Sequence, residues 1–433
     1  MKDNLTEIFR RKFAQWNRDN FLIHTGVLIL GTKLGDVFNF IYRIALVRLL
    51  TIDEYGVLNS LISFSFIFSP FIAPFRPALS KSLAEYIERN ELGQAKFVIK
   101  RARRDLMYFS VLILAVFLLS SGYIADYLNI DNLYYVILLG ALVAVSIIVA
   151  VPQAFLQGAQ LFNYLAGISA LAAFIKLASG LGLVYLGFAV SGGLWGFIIY
   201  PLFVFIVGTV LTNKYFIREG MEELRPIKIS MSPIYKYFIP TGLLLGSFLA
   251  LTNMDVVLVR HFYPEKAGIY SVAQMAGLII FFLPGTIAMV IFPKVAAARA
   301  RQADSFSLLK KSLVLVAGFC ILGVLAFGIF PTGLLHIITG KPNPRSIELV
   351  PWFTLAMSFH ALTMLVLFYH LASHNTRIVI PMILLAAAEA ATIYLYHPTL
   401  ISILYILLFY SVAAFALSIF MIKFIASPMS QKS

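Results

Sequence analysis

The chain has 433 residues, 60% hydrophobic and only 12% charged, with a net charge of +14 and a mean hydropathy of +0.88. Soluble domains run nearer about 45–50% apolar and about 25% charged, so a water-soluble fold is excluded and the chain belongs in a bilayer. The single cysteine, Cys320 in an apolar run, excludes a disulfide framework and any Cys-based metal or redox site.

Residues 1–20 place Leu5, Ile8, Phe9, Phe13 and Trp16 on one helical face, with Arg10, Arg11 and Lys12 elsewhere. This predicts an amphipathic helix on the anionic inner surface of a membrane; a solvated tail is the alternative. The segment lacks the short apolar core and cleavage site of a secretion signal. Twelve mainly apolar spans follow: Phe21–Val47, Glu54–Pro77, Met107–Tyr123, Leu133–Leu156, Tyr164–Phe188, Gly193–Leu211, Tyr237–Val259, Gly268–Phe292, Leu308–Phe330, Leu349–Leu371, Ile378–Tyr396 and Leu400–Ile422. Each is about 20 residues, the length a helix needs to cross hydrocarbon. The runs are continuously apolar rather than alternating, which predicts helices and not a barrel. Ten prolines in these spans, from Pro70 to Pro381, predict breaks or kinks.

Orientation follows from the basic residues. Twenty-five of the 34 Lys and Arg fall in the N-terminus, the even-numbered loops, the C-terminus and their flanks. The odd-numbered loops hold five, Arg48, Arg260, Lys266, Lys341 and Arg345. Both termini are therefore expected in the cytoplasm, with the protein in the cell membrane. The expected organisation is a surface segment 1–20, a six-helix lobe 21–211, a cytoplasmic linker 212–236, a second six-helix lobe 237–422 and a tail 423–433.

The two lobes are related by a repeat. Arg43-Ile-Ala-Leu-Val-Arg48 followed by Asp53-Glu54-Tyr55-Gly56 is matched, 212 residues on, by Asp255-Val-Val-Leu-Val-Arg260 followed by Glu265-Lys266-Ala267-Gly268. Pro77 and Pro293 each precede a basic amphipathic stretch. With six spans per half the repeat is parallel, an all-α layout suited to alternating access about a site between the lobes.

Ile44-Ala-Leu-Val-Arg-Leu-Leu-Thr-Ile-Asp-Glu-Tyr-Gly56 resembles the first-hairpin pattern of O-antigen-type polysaccharide flippases, members of the multidrug/oligosaccharidyl-lipid/polysaccharide exporter superfamily. Asn253-Met-Asp255, Gly268-Ile-Tyr270, Ile291-Phe-Pro293 and Gln153-Ala-Phe-Leu-Gln157-Gly158 are similar to further patterns of that family. The resemblance implies a flippase for lipid-linked oligosaccharides with no catalytic residues and no cofactor. Its implied partners are the lipid-linked oligosaccharide, membrane lipids and other polysaccharide-assembly membrane proteins, with no nucleic acid.

Cations inside the bilayer cost about 2.5–3.5 kcal/mol each on insertion scales, so they are expected to face a watered cavity. In span one Lys33, Asp36 and Arg43 lie within about 80° of one helical face. Lys176 is mid-span in helix five and Arg76 near the inner end of helix two. Lys33, Arg43, Arg76 and Lys176 are the candidate substrate contacts, since guanidinium and ammonium groups suit phosphate oxygens. Pairing of Lys33 with Asp36 and snorkelling of Arg76 to the headgroups are the structural alternatives. Asp36, Asp255 and Glu389 are candidates for proton or sodium coupling; hydrogen bonding to a neighbouring helix is the alternative for each. Asp255, the repeat equivalent of Arg43, is also a candidate partner for it in an outer gate. His360 reads as a packing residue or a relay, and Asp53 with Glu54 as a solvated helix start.

Three other functions compete. A multidrug or cation exporter of the same superfamily shares the lobes, but a cationic cavity suits organic cations poorly. A lipid II flippase typically has two further C-terminal helices, beyond the twelve expected here. A multipass glycosyltransferase or polymerase typically carries a large outer loop, whereas the longest expected here, Pro331–Glu348, has about 18 residues.

Overall fold

The computed structural model describes residues 21–68, 75–218, 232–300, 305–340, 343–373 and 375–424, and these are helices joined by short turns, with no strand among them. An all-helical chain keeps every backbone polar group satisfied within its own segment, as lipid requires. The surface segment expected at 1–20, most of the linker and most of the tail lie outside the described residues.

The first lobe runs α1 (Phe21–Leu49), α2 (Ile52–Phe68), α3 (Phe75–Glu88), α4 (Leu92–Leu119), α5 (Ser121–Tyr127), α6 (Leu133–Ile148), α7 (Ala150–Gly158), α8 (Phe162–Leu183) and α9 (Ala189–Arg218). The second runs α10 (Ser232–Leu251), α11 (Met254–Phe262), α12 (Ala267–Ala300), α13 (Ser305–Ile329), α14 (Pro331–Thr339), α15 (Pro344–Ala372), α16 (Val379–Leu395) and α17 (Leu400–Phe420). The lobes follow the same order, with breaks at different points: α2 and α3 together match α12, and α6 and α7 match α15. The long helices α4 and α13 are each followed by a short one, α5 and α14, and the next helix opens on a capping asparagine. Asn132 accepts from the Tyr134 amide at 3.0 Å and Asn343 from the Arg345 amide at 2.9 Å.

Several expected spans are not single rods. Glu54–Pro77 is described as two helices, α2 and α3, on either side of residues 69–74, which are outside the description. Met107–Tyr123 belongs to a helix that begins earlier, at Leu92, and turns by 60° into α5. The basic stretch Lys96–Arg104, expected in a loop, is therefore the first half of that helix. Tyr237–Val259 is bent by 45° between Leu251 and Met254. Neither bend coincides with a proline; Pro201, Pro240 and Pro351 sit within continuous helices instead. Pro152 does mark a break: its missing N–H leaves the Ile148 carbonyl without a helical donor, and α6 gives way to α7 at Val149. The expected outer loop Pro331–Glu348 is mostly helix, α14 followed by the start of α15.

Among the described residues, five helical stretches are long and apolar enough to cross a membrane, and seven if each bent pair counts as one span. One of the five, Phe162–Ile217, is two helices folded back on each other. Gly187, with φ +91°, and Ala189, with φ 41°, reverse the chain. A β-carbon on Gly196 would then lie 3.1 Å from the Gly180 α-carbon, and one on Gly192 would lie 2.8 Å from the Val184 nitrogen. The space left by Gly180 and Gly196 admits the fully buried Tyr42 ring of α1, whose hydroxyl donates to the Gly193 carbonyl at 2.8 Å. That key fixes α1 in the first lobe.

The lobes meet along α2 and α12. Glu54 and Thr51 form a capping box: Glu54 Oε2 accepts from the Thr51 amide at 2.8 Å and the Thr51 hydroxyl at 2.9 Å. Helix α2 then enters the interface with Tyr55, Gly56 and residues 58–63 all buried. Gly56 lies directly against Gly268, its repeat equivalent, at the start of α12. This end of the molecule, where Arg48 and Arg260 also lie, is closed.

Candidate interlobe binding site

One turn deeper along α2 than Gly56, the two lobes part around a small cavity. Its walls are Arg43, Asn59, Ser63 and Phe66 from the first lobe and Leu249, Thr252, Asn253, Gln274, Leu278, Phe281 and Phe282 from the second. Asn59 Nδ2 donates to Gln274 Oε1 at 2.9 Å, tying α2 to α12 across the cavity wall. The amide nitrogen of Gln274 is buried and has no acceptor among the described residues. The Arg43 guanidinium also has no hydrogen-bond or carboxylate partner among them. The Phe282 ring lies 5.7 Å from its guanidinium carbon. Two donors, one charged and one neutral, thus reach the same cavity from opposite lobes with nothing among the described residues to accept their hydrogens. Donors left in this way call for an oxygen-rich, anionic visitor or water.

The other expected cations are placed differently. Lys176 is buried inside the first lobe. Its Nζ donates to Asn39 Oδ1 at 3.0 Å and sits over the rings of Phe197, at 3.7 Å, and Tyr42, at 4.9 Å. Asn39 is one helical turn from Arg43 on α1, so Lys176 adds positive potential behind the guanidinium without lining the cavity. Arg76 donates from Nε to Gln157 Oε1 at 3.0 Å, with Gln153 Oε1 at 3.4 Å from Nη1, joining α3 to α7. Lys33 and Asp36 form a 2.8 Å ion pair with both side chains largely exposed.

The second lobe holds buried acids. Asp255 is fully buried on α11; its Oδ2 accepts from the Tyr270 hydroxyl at 2.8 Å, while Oδ1 has no partner among the described residues. It makes no ion pair with Arg43. The break before Met254 places Asp255 on a separate short helix, where its partner comes from its own lobe. Glu389 on α16 is 1% exposed and has neither carboxylate oxygen partnered among the described residues. His360 is fully buried with both ring nitrogens unpartnered there and the Phe248 ring 5.9 Å away. No group of three metal-ligating side chains occurs among the described residues.

Asn59 and Gln274 do not stand out in the sequence beyond being amides in apolar spans. Their pairing needs two helices 215 residues apart to touch.

This fold is that of the transporters of the MOP superfamily. An inward-facing multidrug resistance MATE family transporter superposes with a TM-score of 0.70 at 13% identity, covering 92% of this chain and 96% of that one. The lipid II flippase MurJ in an inward closed conformation gives 0.62 at 14% identity, covering 92% and 87%. A MOP superfamily transporter from Pyrococcus furiosus, described by the reverse polarity of its binding pocket, gives 0.61 at 13%, covering 92% and 94%. No curated protein matches the chain by sequence. A family model described as polysaccharide biosynthesis protein matches residues 45–340, and the chain belongs to that family.

Proposed function

We propose that this chain is a flippase that carries a lipid-linked oligosaccharide of the polyprenyl pyrophosphate type from the cytoplasmic to the outer leaflet of the cell membrane. The two lobes alternate access to the cavity between them, both termini lie in the cytoplasm, and the closed Arg48–Arg260 end faces outward by the distribution of basic residues. Family membership supports a polysaccharide pathway, and the fold supports transport. One observation carries the substrate class: the Arg43 guanidinium and the Gln274 amide nitrogen line one interlobe cavity, the latter buried with no acceptor among the described residues. A phosphate oxygen bound between them touches both lobes at once, so the cargo itself can bias their arrangement.

Asp255 and Glu389 are the groups through which a proton or sodium gradient drives the cycle, since buried carboxylates without full partners are costly unless a cation visits. The test is reconstitution in liposomes with two cargoes, a lipid-linked pyrophosphoryl oligosaccharide and an organic cation. Translocation of the first alone is expected. Transport of the organic cation alone would replace this reading with that of a multidrug exporter.

A further inference from the structure

Leu-Val-Arg is repeated identically in the two lobes, yet neither of its arginines lines the cavity. Arg48 ends α1 and reaches across the interface. Its Nε donates to the Ile338 carbonyl at 3.1 Å and its Nη2 to the Ile337 carbonyl, both in the last turn of α14. Arg260 ends α11 and reaches the other way. Its Nε donates to the Leu128 carbonyl at 2.8 Å and its Nη2 to the Asn129 carbonyl, directly after α5, while Nη1 holds the Pro264 carbonyl of its own lobe at 3.0 Å.

The relation is reciprocal: α5 and α14 are counterparts in the repeat, and each is gripped by the arginine of the opposite lobe. Each short helix stops at a left-handed residue, Asn129 at φ 50° and Gly340 at φ 73°. Such a turn leads the chain away and leaves terminal carbonyls open to an outside donor. A guanidinium suits them, because it brings charge to the negative end of the helix dipole and fixed donors to two oxygens at once. The second grip is reinforced by Asn129 Nδ2 donating to the His261 carbonyl at 3.0 Å and by a 2.7 Å hydrogen bond between His261 Nδ1 and the Tyr127 carbonyl. The His261 and Tyr127 rings stack at 4.1 Å. Each arginine lies in the segment leading into one of the touching glycines, Gly56 or Gly268.

We propose that Arg48 and Arg260 are a reciprocal pair of clasps that lock the two lobes together at this end, and that the end opens only when both release. The acceptors are backbone carbonyls, so the lock holds whatever the cavity contains and does not depend on the identity of the cargo.

The test places a single cysteine at Met275 in a Cys320→Ala chain. Met275 is buried beneath the glycine contact, with its sulfur 3.7 Å from the Tyr55 hydroxyl of the other lobe. The labelling rate by a membrane-impermeant maleimide added from the Arg48 side reports opening. Arg48→Gln and Arg260→Gln are each expected to raise that rate about tenfold, the factor given by loss of a charge-assisted hydrogen bond. The double variant should label faster still, and Arg48→Lys and Arg260→Lys should fall between wild type and the Gln variants. Gly318→Ala, where an added methyl meets nothing within 4 Å, should label at the wild-type rate. Wild-type labelling in the folded double variant overturns the lock, and acceleration in one single variant but not the other overturns its reciprocity. Where the double variant does not fold, the two Lys variants decide, and wild-type labelling in both overturns the proposal.

Discussion

Gly56 and Gly268 occupy the same place in two repeats 212 residues apart, and they touch each other: a β-carbon on Gly56 would lie 2.5 Å from the Gly268 nitrogen. The repeat therefore folds so that equivalent residues meet at the axis between the lobes. Backbone occupies the position a side chain would take, and it cannot rotate away.

Gly268→Ala should force the lobes apart at this point, at an overpacking cost of about 1–3 kcal/mol. A lower midpoint of thermal inactivation is expected. Gly318→Ala in α13 faces open space and should leave the midpoint unchanged or raise it, since alanine favours a helix interior by about 1 kcal/mol. Equal effects of the two substitutions would contradict the glycine contact.

Topology is checked by labelling. In a Cys320→Ala chain, a cysteine at the exposed Arg345 should react with an impermeant maleimide from outside the cell, and one at the exposed Lys100 should be spared. The reverse pattern would invert the orientation of both lobes.

Lys176 and Arg43 should separate by phenotype. Lys176 is held by Asn39 and two aromatic rings, so Lys176→Met retains the packing and removes only charge behind the cavity. Cargo affinity is expected to fall less in Lys176→Met than in Arg43→Gln, as measured by equilibrium binding in detergent. A larger loss in Lys176→Met would place the principal contact inside the first lobe.

Glu389→Gln and Asp255→Asn test coupling. Both substitutions replace a carboxylate oxygen that has no partner among the described residues, so folded yield should hold. At least one should abolish the dependence of transport on a proton or sodium gradient. Unchanged dependence in both would remove these acids from energy coupling.

Much of this architecture was legible in the sequence. The shared offset of Leu-Val-Arg and of the following glycine announced the repeat, because those positions do the same work in each lobe: the arginines end α1 and α11, and the glycines meet. The caps by Thr51, Asn132 and Asn343, whose side chains accept from free amides, emerge only in the structure. The bends at Ser120 and before Met254 were not legible, since no proline marks them and packing sets the angle. Spacing on α1 grouped Lys33, Asp36 and Arg43 on one face and offered the Lys33–Asp36 pair that the structure holds, but it could not tell that Arg43 faces the other lobe. Arg76 keeps company with Gln153 and Gln157 for the same reason: partners on another helix are a tertiary fact. The amides of Asn59 and Gln274 gave no periodic signal at all.

In the function proposed above, Arg43 receives the anionic head of the cargo. The most direct measurement is the affinity of purified wild-type, Arg43→Lys and Arg43→Gln protein for a short-chain polyprenyl pyrophosphoryl oligosaccharide, alongside the same glycolipid without its pyrophosphate. Loss of a charge-assisted contact of about 1.5–3 kcal/mol should weaken binding of the charged ligand by about tenfold or more in Arg43→Gln. Arg43→Lys should be intermediate, because the two-pronged geometry is lost and the charge kept. The uncharged glycolipid should bind all three alike. Equal affinity of wild type and Arg43→Gln for the pyrophosphoryl ligand would contradict the account.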